Sequence, residues 1–273
     1  MPNEKQVSEH YSQNDLIAGI EKGLAALGKT PDTVTLEDLG PVEEFHVGGR
    51  DATQSFLDQI DIQSSDHLLD VGCGIGGPSR FVATTYGCQV TGVDLTPDFI
   101  DAGNEICRWL GLTNAVTLMV GSALELPMDD ASIDKAYMLH VGMNIADKNR
   151  LMQEVYRVLK PGGVFAIFDI MRQGEGDLVF PVPWASEGSG SSVASADVYK
   201  SAMASAGFEI TAERNRHQFA IEFFETMQKK NADGPPPLGL HVIMGAGTPE
   251  KMKNVKMNLD NDLIAPVELI GKK

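Results

Sequence analysis

The chain has 273 residues, 42% of them hydrophobic, enough to bury one large core with attachments. Its 22 Lys and Arg against 38 Asp and Glu give a formal charge of -16, which repels phosphate backbones and anionic headgroups and argues against nucleic-acid and membrane-surface partners. No apolar run approaches the ~20 residues of a membrane span, the first residues lack the apolar core of a signal peptide, and Cys73, Cys88 and Cys107 form neither a C-x-x-C pair nor an even framework, so the expectation is a cytoplasmic protein with reduced thiols and no metal site.

In chain order, an amphipathic helix is expected near Asp15 to Leu27, followed by the segment "LGPVEEFHVGGRDAT". From Asp66 onward, apolar runs of strand length alternate with stretches of helical length. "DHLLDVG" reads as a buried strand, and Pro78, tolerated in a first turn, opens a helix to about Tyr86. "CQVTGVD" is a second strand, and Thr96 is placed to cap a helix from Pro97 to about Leu110. "NAVTLMVG", "IDKAYML" and "GVFAIFD" are further strands, with "DKNRLMQEVYRVLK" a helix between the last two, ended by Pro161 to Gly163. Such an order implies a parallel, doubly wound sheet with right-handed crossovers. After the fifth strand, "MRQGEGDLVFPVPWASEGSGSS" is a long loop of the kind that forms lids. A helix around Phe219 to Lys230, the irregular "NADGPPPLGLHVIMGAG", a final helix and a last strand "APVELIG" complete the chain. The division expected is an N-terminal helical lid, 1–60, on a domain of residues 61–273 that carries insertions at about 172–195 and 216–258.

The stretch "LLDVGCGIGGPSR", Leu68 to Arg80, fits two glycine patterns. Gly72, Gly74 and Gly77 satisfy the G-x-G-x-x-G spacing of a dinucleotide site, whereas Asp70, Gly72, Gly74 and Gly76 satisfy acid-x-G-x-G-x-G. A loop between a strand and a helix lets a cofactor approach closely in either case, and Asp94 at the end of the second strand accepts ribose hydroxyls from either ligand. Asp70 discriminates. Its carboxylate opposes a pyrophosphate but favours S-adenosylmethionine, which carries a sulfonium and an ammonium group. Gly76 and Gly77 are equally well read as turn and helix-packing positions, and Cys73 as a small buried apolar filler.

"LLDVGCGIGG", "VTGVDLTPDFI", "GSALELPMDDASIDKAY" and "RVLKPGGVFAIFD" stand in the order and spacing of class I S-adenosylmethionine-dependent methyltransferases. Among these the chain resembles the ubiquinone/menaquinone-biosynthesis and tocopherol methyltransferase group. The resemblance implies a Rossmann-like, doubly wound, mostly parallel seven-stranded α/β sheet with an antiparallel C-terminal strand and lid segments. It also implies that Asp70, Gly72 and Gly74 line the methionine end of the cofactor, that Asp94 holds the ribose and that Leu95 covers one face of the adenine. The family's G-D-A, whose Asp meets the adenine amino group, is Gly121, Ser122 and Ala123 here, and the neutral Ser122 takes the acid's place.

In this fold the acceptor meets the cofactor beyond the carboxyl ends of the strands, so "MLHVGMNIADK" turns His140, Met143 and Asn144 toward the reaction. Related quinone C-methyltransferases carry an Arg-Asn pair where this chain has Met143 and Asn144, and sugar and tocopherol relatives often carry a His at the place of Asn144. Both departures count against copying those acceptors. His46, in "EEFHVGG", resembles the His-x-Gly segment of an N-terminal lid and is the candidate general base. His140 is a candidate for the cofactor or the reaction, and Asn144 for orienting the acceptor. His67, His217 and His241 have no comparable context. Phe45, Val179, Phe180, Trp184, Leu238, Leu240 and Met244 give the lid segments an apolar character that suits a small, partly apolar acceptor. The expected function is methyl transfer from S-adenosylmethionine to an O, N or C atom of such a metabolite. Its rivals are a cofactor-binding protein without turnover, which the loop and Asp94 alone would also serve, and an adenine-dinucleotide oxidoreductase, which Asp70 and the downstream blocks oppose.

Overall fold

A computed structural model describes residues 3–12, 15–230 and 234–273. The chain opens with four helices, α1 (Glu4–Tyr11), α2 (Leu16–Ala26), α3 (Leu36–Glu43) and α4 (Gly49–Leu57). Then come β1 (His67–Val71), α5 (Gly77–Tyr86), β2 (Gln89–Asp94), α6 (Pro97–Trp109), β3 (Val116–Val120), β4 (Ile133–Leu139), α7 (Lys148–Val158) and β5 (Leu159–Arg172). The C-terminal part adds α8 (Ala196–Ala206), β6 (Glu209–Asn215), α9 (His217–Lys230), α10 (His241–Met244), α11 (Thr248–Asp260) and β7 (Ile264–Lys272).

The strands form one seven-stranded sheet in the order β3-β2-β1-β4-β5-β7-β6. β1 to β5 pair in parallel, and β7 runs antiparallel to both its neighbours. Strand side chains alternate between faces, so neighbours in sequence enter opposite cores. Leu69, Met138 and Ile167 pack under α7 and α8, while Leu68, Tyr137 and Phe168 pack with residues of α4, α5 and α6. Burial on both faces explains why these strands read as continuous apolar runs. Chain order reverses between β1 and β4, which lie side by side, and this creates the crevice at their carboxyl ends where open α/β sheets bind ligands.

Two local expectations are corrected, and two elements are added. α7 stops at Val158, and Pro161 to Gly163 lie inside β5 as an irregularity: Ile133 pairs Leu159, Lys135 pairs Val164, and Gly162 has φ +80. Thr96 occupies the N-cap of α6 without a side-chain capping bond; the helix is started by Pro97 in its first turn. The segment 39–53 is mostly helical, shared between α3 and α4. The polar edge strand β6 is an element that the apolar-run reading passes over, since only Ile210 and Ala212 of its seven residues are even partly buried hydrophobics. The first three residues of the piece 231–247 lie outside the described residues, and its end carries α10.

Two further apolar clusters fasten the remaining helices. Ile20, Leu24, Leu39 and Val42 of α2 and α3 pack on Phe99 and Ile106 of α6, joined by Leu238 and Ile243. Val182 and Trp184 of the loop after β5 pack with Met143, Phe224 and Leu259. Both clusters lie at the margins of the crevice.

Candidate functional site

A cavity of about 590 Å³ lies at this crevice, within the size range of small-molecule sites. Its cofactor end is built by the loop between β1 and α5. The N–H groups of Gly72 and Cys73 donate to the Val93 carbonyl at 2.8 and 3.1 Å, which bends the loop over the end of β2. Gly72 has φ +74 and a Cβ there would collide with Val141, so the position demands glycine. Gly77 is a packing glycine: a Cβ would strike Glu43 of α3.

Asp94 joins that loop to the next helix. Its Oδ2 accepts the Gly74 N–H and its Oδ1 the Thr96 N–H, each at 2.9 Å. Burial raises its pKa against those bonds. Asp70 is 2% exposed and accepts the hydroxyls of Ser79 at 2.6 Å and Tyr137 at 3.1 Å. Burial pushes it up to about 7, with the Asp94 and Glu44 charges adding to the rise. Two acids that ionise reluctantly thus face one cavity, together with Leu95, Phe99 and Ala123. A bound cation relieves the first, and vicinal hydroxyls suit the spare lone pairs of the second. At Gly74 a Cβ would meet nothing nearer than Phe99 at 4.0 Å, so this glycine leaves the loop backbone open to a ligand. This set of acceptors therefore fits an aminoacyl-sulfonium nucleoside such as S-adenosylmethionine.

The opposite end is formed after β4. His140 has φ +52, held by its N–H donating to the Phe168 carbonyl at 2.7 Å. The Val47 N–H donates to His140 Nδ1 at 3.2 Å, so the neutral ring carries its proton on Nε2. That N–H is buried without a hydrogen-bond partner. Burial, with the neighbouring His46 ring second, holds His140 well below the usual histidine range. It lines the cavity as a donor rather than as a base. Asn144 faces Tyr11 from α1, with Nδ2 donating to the Tyr11 hydroxyl at 3.2 Å.

His46 is placed on the lid side of the cavity with both ring nitrogens engaged. Nε2 lies 2.9 Å from Glu44 Oε2 and 2.9 Å from Thr53 Oγ, and Nδ1 lies 3.3 Å from the Val47 carbonyl. Although burial works against its ionisation, Glu44 is held below the usual carboxylate range by His46, Thr53 and Arg50. A base role would require His46 to leave this arrangement, so the geometry makes it a wall of the site. The Ser122 hydroxyl bonds Glu4 of α1 and accepts the Leu124 N–H at 2.9 Å, while Gly121, Ala123 and Leu124 line the cavity beside it. His67 bonds Thr91, and His217 bonds the Leu259 carbonyl.

The sequence reading missed α1. Ser8 Oγ donates to the Leu95 carbonyl at 3.2 Å, His10 Nε2 lies 2.9 Å from the Pro183 carbonyl, and Tyr11 reaches Asn144. The helix therefore bridges the two walls. A signal was present: Asn3 and Gln6 spell a capping box, which the structure forms, with Val7 and Tyr11 four apart behind it.

Residues 69–167 match the family model described as a methyltransferase domain. The chain is 35% identical over 161 residues to the sterol 24-C-methyltransferase of Eremothecium gossypii, covering 57% of this chain and 43% of that protein. It is 40% identical over 95 residues to a probable chloroplastic tocopherol O-methyltransferase of Oryza sativa subsp. japonica, covering 35% of this chain and 26% of that one. Curated relatives are matched over 23% to 59% of their own length. The solved geranyl diphosphate C-methyltransferase of Streptomyces coelicolor A3(2), in complex with S-adenosyl-L-homocysteine, superposes with a TM-score of 0.72 over all of this chain and 98% of that one, at 20% identity. It shares the fold.

Proposed function

We propose that this chain, whose residues 69–167 match the methyltransferase-domain family model, methylates a small, partly apolar metabolite at the expense of S-adenosylmethionine. The observation that carries the reading is a single cavity with Asp70, Gly74 and Asp94 at one end and Tyr11, His140 and Asn144 at the other. The bound cofactor supplies a methyl group already activated on sulfur, so alignment of the acceptor for in-line displacement is the main task left to the protein. Asp70 holds the cationic methionine end, Asp94 the ribose hydroxyls, and Leu95 and Ala123 the adenine. The His140 Nε2–H donates to a lone pair on the acceptor or the cofactor, and Asn144 with Tyr11 orients the acceptor.

Cofactor and acceptor share about 590 Å³, space that one drug-sized ligand often fills alone. That favours a compact acceptor over one as large as a sterol. Residues 1–60 and the insertions at 172–195 and 216–258 serve as walls and lid of the acceptor site. Among the described residues no helix is long and apolar enough to cross a membrane. The charge of -16 and three buried free thiols support a cytoplasmic protein without nucleic-acid partners.

The test is mass spectrometry of a metabolite extract incubated with the protein and methyl-labelled S-adenosylmethionine. A labelled small molecule, lost with Asp94→Ala, is the expected result. Tight cofactor binding with no labelled product would instead favour a binding protein without turnover.

A further inference from the structure

Behind the turn that follows β4 lies a group of charges that the cavity does not use. Lys148, the first residue of α7, is 5% exposed. Its Nζ donates to the Ile145 carbonyl and, at 3.0 Å, to the Ser192 carbonyl. The Ser192 N–H donates back to the Met143 carbonyl at 2.7 Å. Below the turn, fully buried Asp169 accepts the Tyr199 hydroxyl at 2.6 Å and the Ile170 N–H at 2.9 Å. Lys148 Nζ lies 5.1 Å from the centroid of the Tyr199 ring. A Cβ at Gly142 would collide with Asp169 Oδ2 and Tyr199 Oη, so the carboxylate sits directly under the turn backbone.

An ammonium is disfavoured at this place on two counts. Removing it from water carries a desolvation penalty, and a cation in the first turn of a helix opposes the helix dipole. A Met or Leu would fill the volume without either cost. What only the ammonium provides is donors for two carbonyls that belong to different segments, the turn after β4 and the loop before α8. The turn's own bonds are few: Asn144 N–H to Val141 and Ile145 N–H to Gly142, each at 2.9 Å.

We propose that Lys148 is a positioning residue: by holding the Ile145 and Ser192 carbonyls together above the Asp169–Tyr199 pair, it fixes the turn carrying Met143 and Asn144 and so sets the back wall of the acceptor site. The assignment of that wall rests on the function proposed above, whereas the mechanical role does not. Amide hydrogen exchange therefore tests it without turnover, on the full chain saturated with S-adenosylhomocysteine. Lys148→Met keeps the aliphatic stem and removes the donors. The amides of Asn144, Ile145 and Ser192 should then exchange at least tenfold faster, with S-adenosylhomocysteine affinity changed less than twofold. Lys148→Arg, which retains donors, should restore slow exchange. Unchanged exchange at these three amides in Lys148→Met would overturn the proposal, as would acceleration spread equally through β1 and β2. Should Lys148→Met fail to fold, Tyr199→Phe withdraws the hydroxyl from Asp169 and should accelerate the same three amides; no acceleration there would also overturn it. If the exchange results hold while no acceptor is ever methylated, the function proposed above fails and the positioning role stands.

Discussion

Asp70 provides the sharpest test of the cofactor assignment, because the same burial that strains it makes its response to a cation measurable. Its pKa rises from 3.8 to about 7, a difference worth on the order of 4 kcal/mol between its two protonation states. A carboxyl whose folded pKa is raised contributes stability that is fully present below pH 3.8 and is lost as pH rises through about 7. In the free protein Asp70 is therefore about half protonated at pH 7 and about nine-tenths protonated at pH 6. A sulfonium and an ammonium placed beside it pull the proton off. Cofactor binding should release about 0.9 proton at pH 6 and about 0.5 at pH 7 in excess of the Asp70→Asn variant. That variant is the control for the cofactor's own amine. Titration calorimetry in two buffers of different ionisation enthalpy reads the release directly. Asp70→Asn should also weaken S-adenosylmethionine binding by roughly 1.5–3 kcal/mol, the value of a hydrogen bond to a charged group, while raising the thermal stability of the free protein at pH 8. Equal proton release by wild type and Asp70→Asn, or a release larger at pH 7 than at pH 6, would refute the reasoning.

Asp94→Ala removes the ribose acceptor and the partner of the Gly74 and Thr96 N–H groups, so S-adenosylmethionine affinity should fall by roughly 1.5–3 kcal/mol in a folded variant; calorimetry showing wild-type affinity would end the assignment. Hydrogen exchange with and without S-adenosylhomocysteine should slow most in residues 3–12 and in 174–192, and little in 39–53; strong protection confined to 39–53 would assign the moving lid to the wrong helices. His46→Ala should alter the transfer rate without deleting the acidic limb of the pH profile, the limb a general base would set, since its ring nitrogens already face Glu44, Thr53 and Val47. A rate loss of about 10²–10⁴-fold together with loss of that limb would restore it as the general base.

The cofactor half of the site was legible because its chemistry is local. Asp70, Gly72 and Gly74 lie within five residues, and Asp94 ends the next strand, so the parallel register of β1 and β2 alone brings them together. The strands between them declared themselves by unbroken apolar runs. The acceptor half was harder to read because its contacts span the chain. Tyr11 meets Asn144 across 133 positions and Ser192 meets Lys148 across 44, and no periodicity encodes such pairs. The tautomer of His140 depends on the Val47 N–H, 93 residues away. Ser122 shows a contact that the motif alone does not encode: a serine can turn to Glu4 where an acid would be repelled.

The N-terminal segment was read as one lid, but its helices are held by different forces. Glu43 of α3 is bound by Arg80 at 2.6 Å and by Arg50 at 2.9 Å, and the side chains of Glu43 and Arg80 are fully buried. Arg80 also donates to the Ile75 carbonyl of the glycine loop at 2.8 Å. Separating such a pair strands a charge in the interior, at roughly 3–5 kcal/mol, so α3 moves only if the cofactor loop moves with it. α1, by contrast, has no buried residue and is held by the half-buried Tyr11 ring against Phe45 and Phe99 and by side-chain hydrogen bonds at the rim, each worth about 0.5–1.5 kcal/mol. In the proposed reading, opening of the cavity therefore falls to α1. Its Ser8 rests on Leu95 of the cofactor wall while His10 and Tyr11 rest on Pro183 and Asn144 of the acceptor wall. A strap seated on both walls closes best when both are in place, so ordering either wall lowers the cost of closing over the other.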